Sequence, residues 1–180
     1  MERCRLVFSG SGGQGLITAA IILAEAAVIY EGLNAVQAQS YGAAARGGVT
    51  RSDIIIDDQT INFPKVNQPN ILVCLTQEAY DQSYSIIRPG GLLLTDSALV
   101  ETKRKADARQ VSLPLYRSVQ QEIGKTIVLN ICMLGALQAL TNIVSLESLL
   151  EVIKTRVPSQ FVDMNKKALD LGVELAKEHS

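Results

Sequence analysis

The chain is 180 residues long with a net charge of −1, the size of one domain and without the basic field that nucleic acid requires. Apolar residues make up 47% of it and aromatics only 4%, with no Trp, so the core must be Leu, Ile, Val and Ala, as suits helices packed on a sheet. A single histidine (His179) and three scattered cysteines (Cys4, Cys74, Cys132), none in a C-x-x-C pair, argue against a zinc site, a Ser-His-Asp triad or an iron–sulfur cluster.

The first predicted element is the apolar strand Arg5-Leu6-Val7-Phe8-Ser9, which the N-terminus enters directly, without a secretory signal. Gly10-Ser11-Gly12-Gly13-Gln14-Gly15 follows. A helix from Leu16 to Tyr30 comes next, its buried face read as Leu16, Ile17, Ala20, Ile21, Ala24, Ala27 and Val28. Strand, glycine turn and helix make a ready anion site, because the first amide N–H groups of a helix lack internal partners. Gly10, Gly12 and Gly15 match the dinucleotide fingerprint, with Gln14 as a neutral donor. That fingerprint also wants an acidic residue about 20 positions on to hold a ribose hydroxyl. Asn34 to Ser40 offers none. Two readings of the turn therefore stand side by side, an anion or nucleotide site and a tight strand-to-helix packing device.

Gly32 caps the helix, and Leu33 to Gln39 reads as the second strand. Ser40 to Gly48 is a loop with three glycines and Arg46, whose guanidinium is free to reach a partner carboxylate, an anion or its own loop's carbonyls. Val49 to Ile56 is a strand. Asp57-Asp58-Gln59 turns it back into a returning strand Thr60 to Pro64, a hairpin that would make the sheet mixed.

Ile71 to Leu75 is a continuous apolar run typical of a central parallel strand, and Thr76 caps a helix from Gln77 to Ile87. Leu92 to Thr95 completes a β-α-β unit, with Asp96 and Ser97 at its carboxyl end as a candidate ligand position or an ordinary turn. Val111 to Leu115 contains Pro114 and suits a sheet edge. Ser118 with Gln121 reads as the capping box of a short helix ending at Gly124. Thr126 to Leu140 is apolar nearly all round and too short to span a bilayer, hence a buried helix. Ser145 starts a helix to about Arg156, and the last runs from Ser159 to about Lys177 with Phe161, Met164, Ala168, Leu171 and Leu175 on one face. The elements predict one α/β domain over residues 1–180. It is a three-layer, Rossmann-like fold with a mixed, mostly parallel sheet and helices on both faces.

The two glycine motifs together carry more than either alone. Gly10-x-Gly12-Gly13-Gln14-Gly15 followed by Ser40-Tyr41-Gly42 and Arg46-Gly47-Gly48 resembles the gamma subunit of 2-oxoacid:ferredoxin oxidoreductases. The likeness extends over Pro64, Pro69-Asn70, Arg88-Pro89-Gly90-Gly91, Asn130 with Leu134 to Leu137, and Asn165 with Ala168, Leu169 and Gly172. Ala43 departs from it, since many relatives carry Pro there.

The resemblance implies a cytoplasmic hetero-oligomer that oxidatively decarboxylates a 2-oxoacid, 2-oxoglutarate favoured, to an acyl-CoA and passes electrons to ferredoxin. It places thiamine diphosphate, magnesium and iron–sulfur clusters on alpha, beta and ferredoxin-like delta subunits, with coenzyme A a substrate of the complex. No Gly-Asp-Gly thiamine motif occurs here, so the chain is expected to hold no cofactor, no metal and no catalytic residue, and to contact neither nucleic acid nor membrane. Its candidate anion or subunit-contact residues are Gly10, Gly12, Gly13, Gln14, Gly15 and Arg46. The alternative, a free-standing Rossmann-type nucleotide-binding oxidoreductase, lacks both the ribose carboxylate and an internal proton donor.

Overall fold

In the computed structural model, residues 3–41, 48–103 and 105–178 are described. Strand β1 (Cys4–Ser11) leads through the glycine turn into helix α1 (Leu16–Glu25), which widens into a π turn over Ala26–Tyr30. Strands β2 (Asn34–Tyr41), β3 (Val49–Asp57) and β4 (Ile71–Cys74) follow, then helix α2 (Gln77–Ser83), β5 (Gly91–Asp96) and β6 (Ala108–Leu113). The rest is helical: α3 (Leu115–Glu122), α4 (Leu129–Thr141), α5 (Leu146–Arg156) and α6 (Val162–Glu178).

The six strands form one sheet in the order β2-β3-β1-β4-β5-β6. Strands β1, β4, β5 and β6 are mutually parallel, and β3 runs antiparallel between β1 and β2. The period of two along each strand sends alternate side chains into two cores. Leu6, Phe8, Ile54, Ile56, Val73 and Leu94 meet α1, α3, α4, α5 and α6 on one face. Val7, Ile55, Leu72, Cys74 and Leu93 meet Ala79 and Tyr80 of α2 on the other. Helices thus cover both faces of a mixed, mostly parallel sheet, the three layers expected.

The hairpin does not form: residues 60–64 are not a strand. Strand β3 is paired along one edge with β1 and along the other with β2, so no edge remains for a returning strand. The turn residue Asp57 is instead held by Arg3 and accepts from the Gln59 amide at 3.1 Å. Mixed character comes from β3 itself.

Thr76 caps α2 through the Ala79 amide, and Ser145 caps α5 through the Ser148 amide, both as expected. The third helix is different. It starts at Leu115, three residues before Ser118, and its first-turn donor Tyr116 N–H is taken at 2.6 Å by the Asp96 carboxylate. The cap comes from the end of β5, out of reach of local sequence reading.

Two helix faces depart in part from their predicted positions. In α1 the buried residues are Leu16, Ala19, Ala20, Ile22, Leu23, Ala26 and Ala27, while Val28 is exposed. A nearly all-apolar helix carries little phase information, and the π turn shifts the register at its end. In α6 the buried residues are Asn165, Ala168, Leu169, Gly172, Val173, Leu175 and Ala176, so Ala168 and Leu175 fall where predicted while Phe161 is exposed. This face meets α4 across a glycine crossing: a Cβ at Gly172 would lie 1.9 Å from the Cys132 carbonyl oxygen, and one at Gly135 would lie 2.0 Å from that of Leu169. Glycines, not large residues, set the closest approach of this face to α4.

Candidate functional site

Helix α1, after β1, packs on one face of the sheet, and α2, after β4, packs on the other. The chain therefore diverges between the adjacent strands β1 and β4, and their carboxyl ends border a crevice where open α/β sheets receive ligands. The glycine turn forms one wall of it.

Each glycine has a distinct reason. Gly10 still pairs with Thr50 of β3, and a Cβ there would meet Gln14 Oε1 at 2.3 Å and Leu16 Cδ1 at 2.7 Å. Gly13 and Gly15 lie in the left-handed region at φ 89° and 73°, which a side chain rarely adopts. Among the described residues, a Cβ on Gly12 would meet only Thr50 Oγ1, at 3.9 Å, an ordinary contact. Gly12 and Gly13 form the exposed tip of the turn.

Gln14 acts inward. Its Oε1 accepts from the Ser11 amide at 2.9 Å and its Nε2 donates to the Leu75 carbonyl at 3.2 Å, tying the turn to the end of β4 across the crevice. The Leu75 amide in turn donates to the Ser9 carbonyl at 3.0 Å. Gly15 is the N-cap of α1, and among the described residues no side chain caps that end, so the first-turn N–H groups of α1 face the turn without a side-chain acceptor from them. Gly15 also abuts α4: Asn130 Nδ2 donates to the Gly15 carbonyl at 3.1 Å, and a Cβ on Gly15 would collide with that amide at 2.7 Å.

The six candidate residues divide accordingly. Gly10, Gly12, Gly13, Gln14 and Gly15 make one continuous turn at the crevice, and Arg46 lies outside the described residues. Asn130 was not among them; the signal for it is a lone polar residue within the apolar run from Ile127 to Leu137. Asp96, the alternative ligand position, is fully buried and accepts from the Ala98, Leu99 and Tyr116 amides. Burial raises its pKa, against those three bonds. It organises a turn and a helix cap. Burial also pushes the Cys74 and Cys132 thiols up to about 12, leaving both as unreactive core residues. Among the described residues no group of His, Cys, Asp and Glu is arranged to hold a metal, and no helix is long and apolar enough to cross a membrane.

Residues 5–175 match the family model described as pyruvate ferredoxin/flavodoxin oxidoreductase. The chain is 47% identical to a 2-oxoglutarate synthase subunit, KorC, of Methanocaldococcus jannaschii, over 98% of this chain and 95% of that one. The gamma subunit of a keto/oxoacid ferredoxin oxidoreductase from Geobacter sulfurreducens superposes with a TM-score of 0.88 at 42% identity, covering 97% of this chain and 99% of the other. The fold recurs, with a TM-score of 0.90 at 22% identity, within a 2-oxoglutarate:ferredoxin oxidoreductase chain of Magnetococcus marinus solved with 2-oxoglutarate, coenzyme A and succinyl-CoA. This chain spans 32% of that longer one.

Proposed function

The chain belongs to the pyruvate ferredoxin/flavodoxin oxidoreductase family as a gamma subunit of a 2-oxoacid:ferredoxin oxidoreductase, and from that premise we propose that its complex oxidises 2-oxoglutarate. The observation that carries the substrate is the 47% identity to a 2-oxoglutarate synthase subunit, end to end in both chains. The complex would decarboxylate the oxoacid to a thioester of coenzyme A and deliver two electrons to ferredoxin. Thiamine diphosphate, magnesium and iron–sulfur clusters belong in this reading to alpha, beta and delta subunits, in the cytoplasm.

Residues 1–180 then act as one gamma-type domain that is silent alone and works in assembly. The glycine turn adds a second role. Among the described residues its tip at Gly12 and Gly13 is uncrowded and the first turn of α1 has no side-chain cap, and no carboxylate lies within the Gly10–Gly15 segment. Those features support binding of an anion, the diphosphate of coenzyme A being the one the reaction supplies. Arg46 is the proposed charged partner of that ligand or of a neighbouring subunit.

Purifying the complex from its native source through a tag on this chain tests both parts. The expected result is co-purification of thiamine- and cluster-bearing subunits, with coenzyme A-dependent dye reduction by 2-oxoglutarate exceeding that by pyruvate or branched oxoacids. Preference for another oxoacid would overturn the substrate assignment, and turnover by this chain alone would overturn its silent role.

A further inference from the structure

The two edges of the sheet are built differently. Strand β6 is six residues long, carries Arg109 and runs directly into Pro114. Short length, charge and proline are the devices that keep a sheet edge from pairing with another chain. Strand β2 has none of them. It pairs with β3 over eight consecutive residues without a bulge, and Asn34 to Tyr41 contains no charge and no proline. In an antiparallel ladder, every other residue of an edge strand points both its N–H and its C=O outward. Among the described residues no turn or loop backbone bonds to that outer row.

An apolar flank adjoins this edge. The π turn places Val28, Ile29 and Tyr30 in succession at 47%, 62% and 45% exposure, just before the chain enters β2. Three consecutive exposed apolar residues of this size favour a covered state. Charge along the edge is split by sign. Its amino end, at Asn34, has Glu31, Asp57 and Asp58 against the single Arg3. Its carboxyl end, at Ser40, has Arg51 and Lys65 against Asp53. An antiparallel copy of the same strand lays each acidic end beside the other's basic end, whereas a parallel copy would set like against like.

We infer that the outer edge of β2 is an interface for a second copy of this chain, paired antiparallel about a two-fold axis so that two six-stranded sheets join into one. This inference stands apart from the oxoacid and anion readings above. Pairing satisfies the outward backbone groups of both copies at once, because a two-fold contact uses the same patch on each side. Val28, Ile29 and Tyr30 of each copy widen the contact on the face of the joined sheet that carries α1.

The test follows the full chain by sedimentation velocity over about two decades of concentration, with amide hydrogen exchange measured on the same samples. The expected result is a monomer–dimer equilibrium in which the β2 amides slow as dimer forms and the β6 amides do not. Gln39→Lys, at an exposed position, puts a cation on each copy along the paired edge and should weaken association by about tenfold. Ile29→Lys should weaken it by about fivefold. Both side chains are exposed in the monomer, so neither change should shift its melting temperature. Asp58→Lys and Lys65→Glu should each weaken the dimer by about threefold, and the two together should restore it. A chain that stays monomeric throughout would overturn the inference, as would a dimer whose β2 amides exchange at the monomer's rate or whose affinity is unchanged by Gln39→Lys. In the purified complex, β2 amides still protected at dilutions that separate the copies would assign the edge to another subunit and overturn the second-copy pairing.

Discussion

Asn130 of α4 donates its side-chain amide to the carbonyl of Gly15 at 3.1 Å, joining residues 115 positions apart. The same carbonyl accepts from the Ala19 amide at 2.9 Å, so the bond ties α4 to the first turn of α1. It also explains why position 15 is glycine: φ is 73°, and a Cβ would reach within 2.7 Å of that same amide. Gly15→Ala therefore suffers both backbone strain and a collision. We expect it to lose about 2 to 3 kcal/mol in urea denaturation. Asn130→Ala alone should lose about 1 to 2 kcal/mol, the worth of a buried hydrogen bond and a small cavity. The double variant should be more stable than the sum predicts, since removing Asn130 relieves the collision. Strict additivity would mean the two residues are not in contact in solution.

Gly12 offers the clean functional probe. Among the described residues its Cβ would touch nothing closer than 3.9 Å, and its φ is not in the left-handed region. Gly12→Ala should therefore keep stability within about 0.5 kcal/mol of the parent. If the turn binds anions, the same substitution should lower diphosphate affinity by crowding the exposed tip. Gly10→Ala should do the opposite, costing stability through Gln14 and Leu16. A large melting shift in Gly12→Ala would show that the tip is packed after all.

Much of this architecture was legible because the strands are short apolar runs bounded by Gly, Pro, Asn and Asp. The strand Ile71 to Cys74 and the helix after it, capped by Thr76, are found where their patterns place them. What escaped reading was set by distant residues. Asp96 caps α3 from the end of β5, Asn130 pins the glycine turn from α4, and Gly135 and Gly172 set how closely α6 approaches α4. The glycine turn was visible as a motif. Its division into packed Gly10 and Gly15 against open Gly12 depends on tertiary neighbours that no local spacing records.

Glu31, just past the π turn, accepts from the Ser145 amide at 2.8 Å and from the Ser148 hydroxyl at 2.6 Å. The Ser148 bond first, and then those from Ser145, lower its pKa below the ordinary 4.5. A carboxyl with a lowered native pKa stabilises the fold above its unfolded value, and that contribution fades as pH falls through the native one. Acidification from pH about 5 downward should thus loosen the α1–α5 junction. Glu31→Gln should be less stable than the parent near neutral pH and should show a shallower stability loss on acidification. Parallel acid profiles for the two proteins would dissociate Glu31 from the junction.

The α4–α6 crossing sets the last expectation. A Cβ at Gly172 would stand 1.9 Å from the Cys132 carbonyl oxygen and 2.7 Å from the Ala136 nitrogen, both backbone atoms that cannot rotate away. Helix propensity alone favours Ala over Gly by about 1 kcal/mol, so an exposed glycine here would gain from the change. Contact decides the sign instead. Gly172→Ala should force the helices apart and cost on the order of 3 kcal/mol, read as a lowered urea midpoint with little change in slope. The same separation exposes α4, where Cys132 is fully buried with its thiol at about 12. Alkylation of Cys132 at neutral pH should therefore be slow in the parent and faster in Gly172→Ala, with Cys74 beneath α2 unaffected. Equal stability and equal thiol protection would mean that the two helices do not cross at this distance.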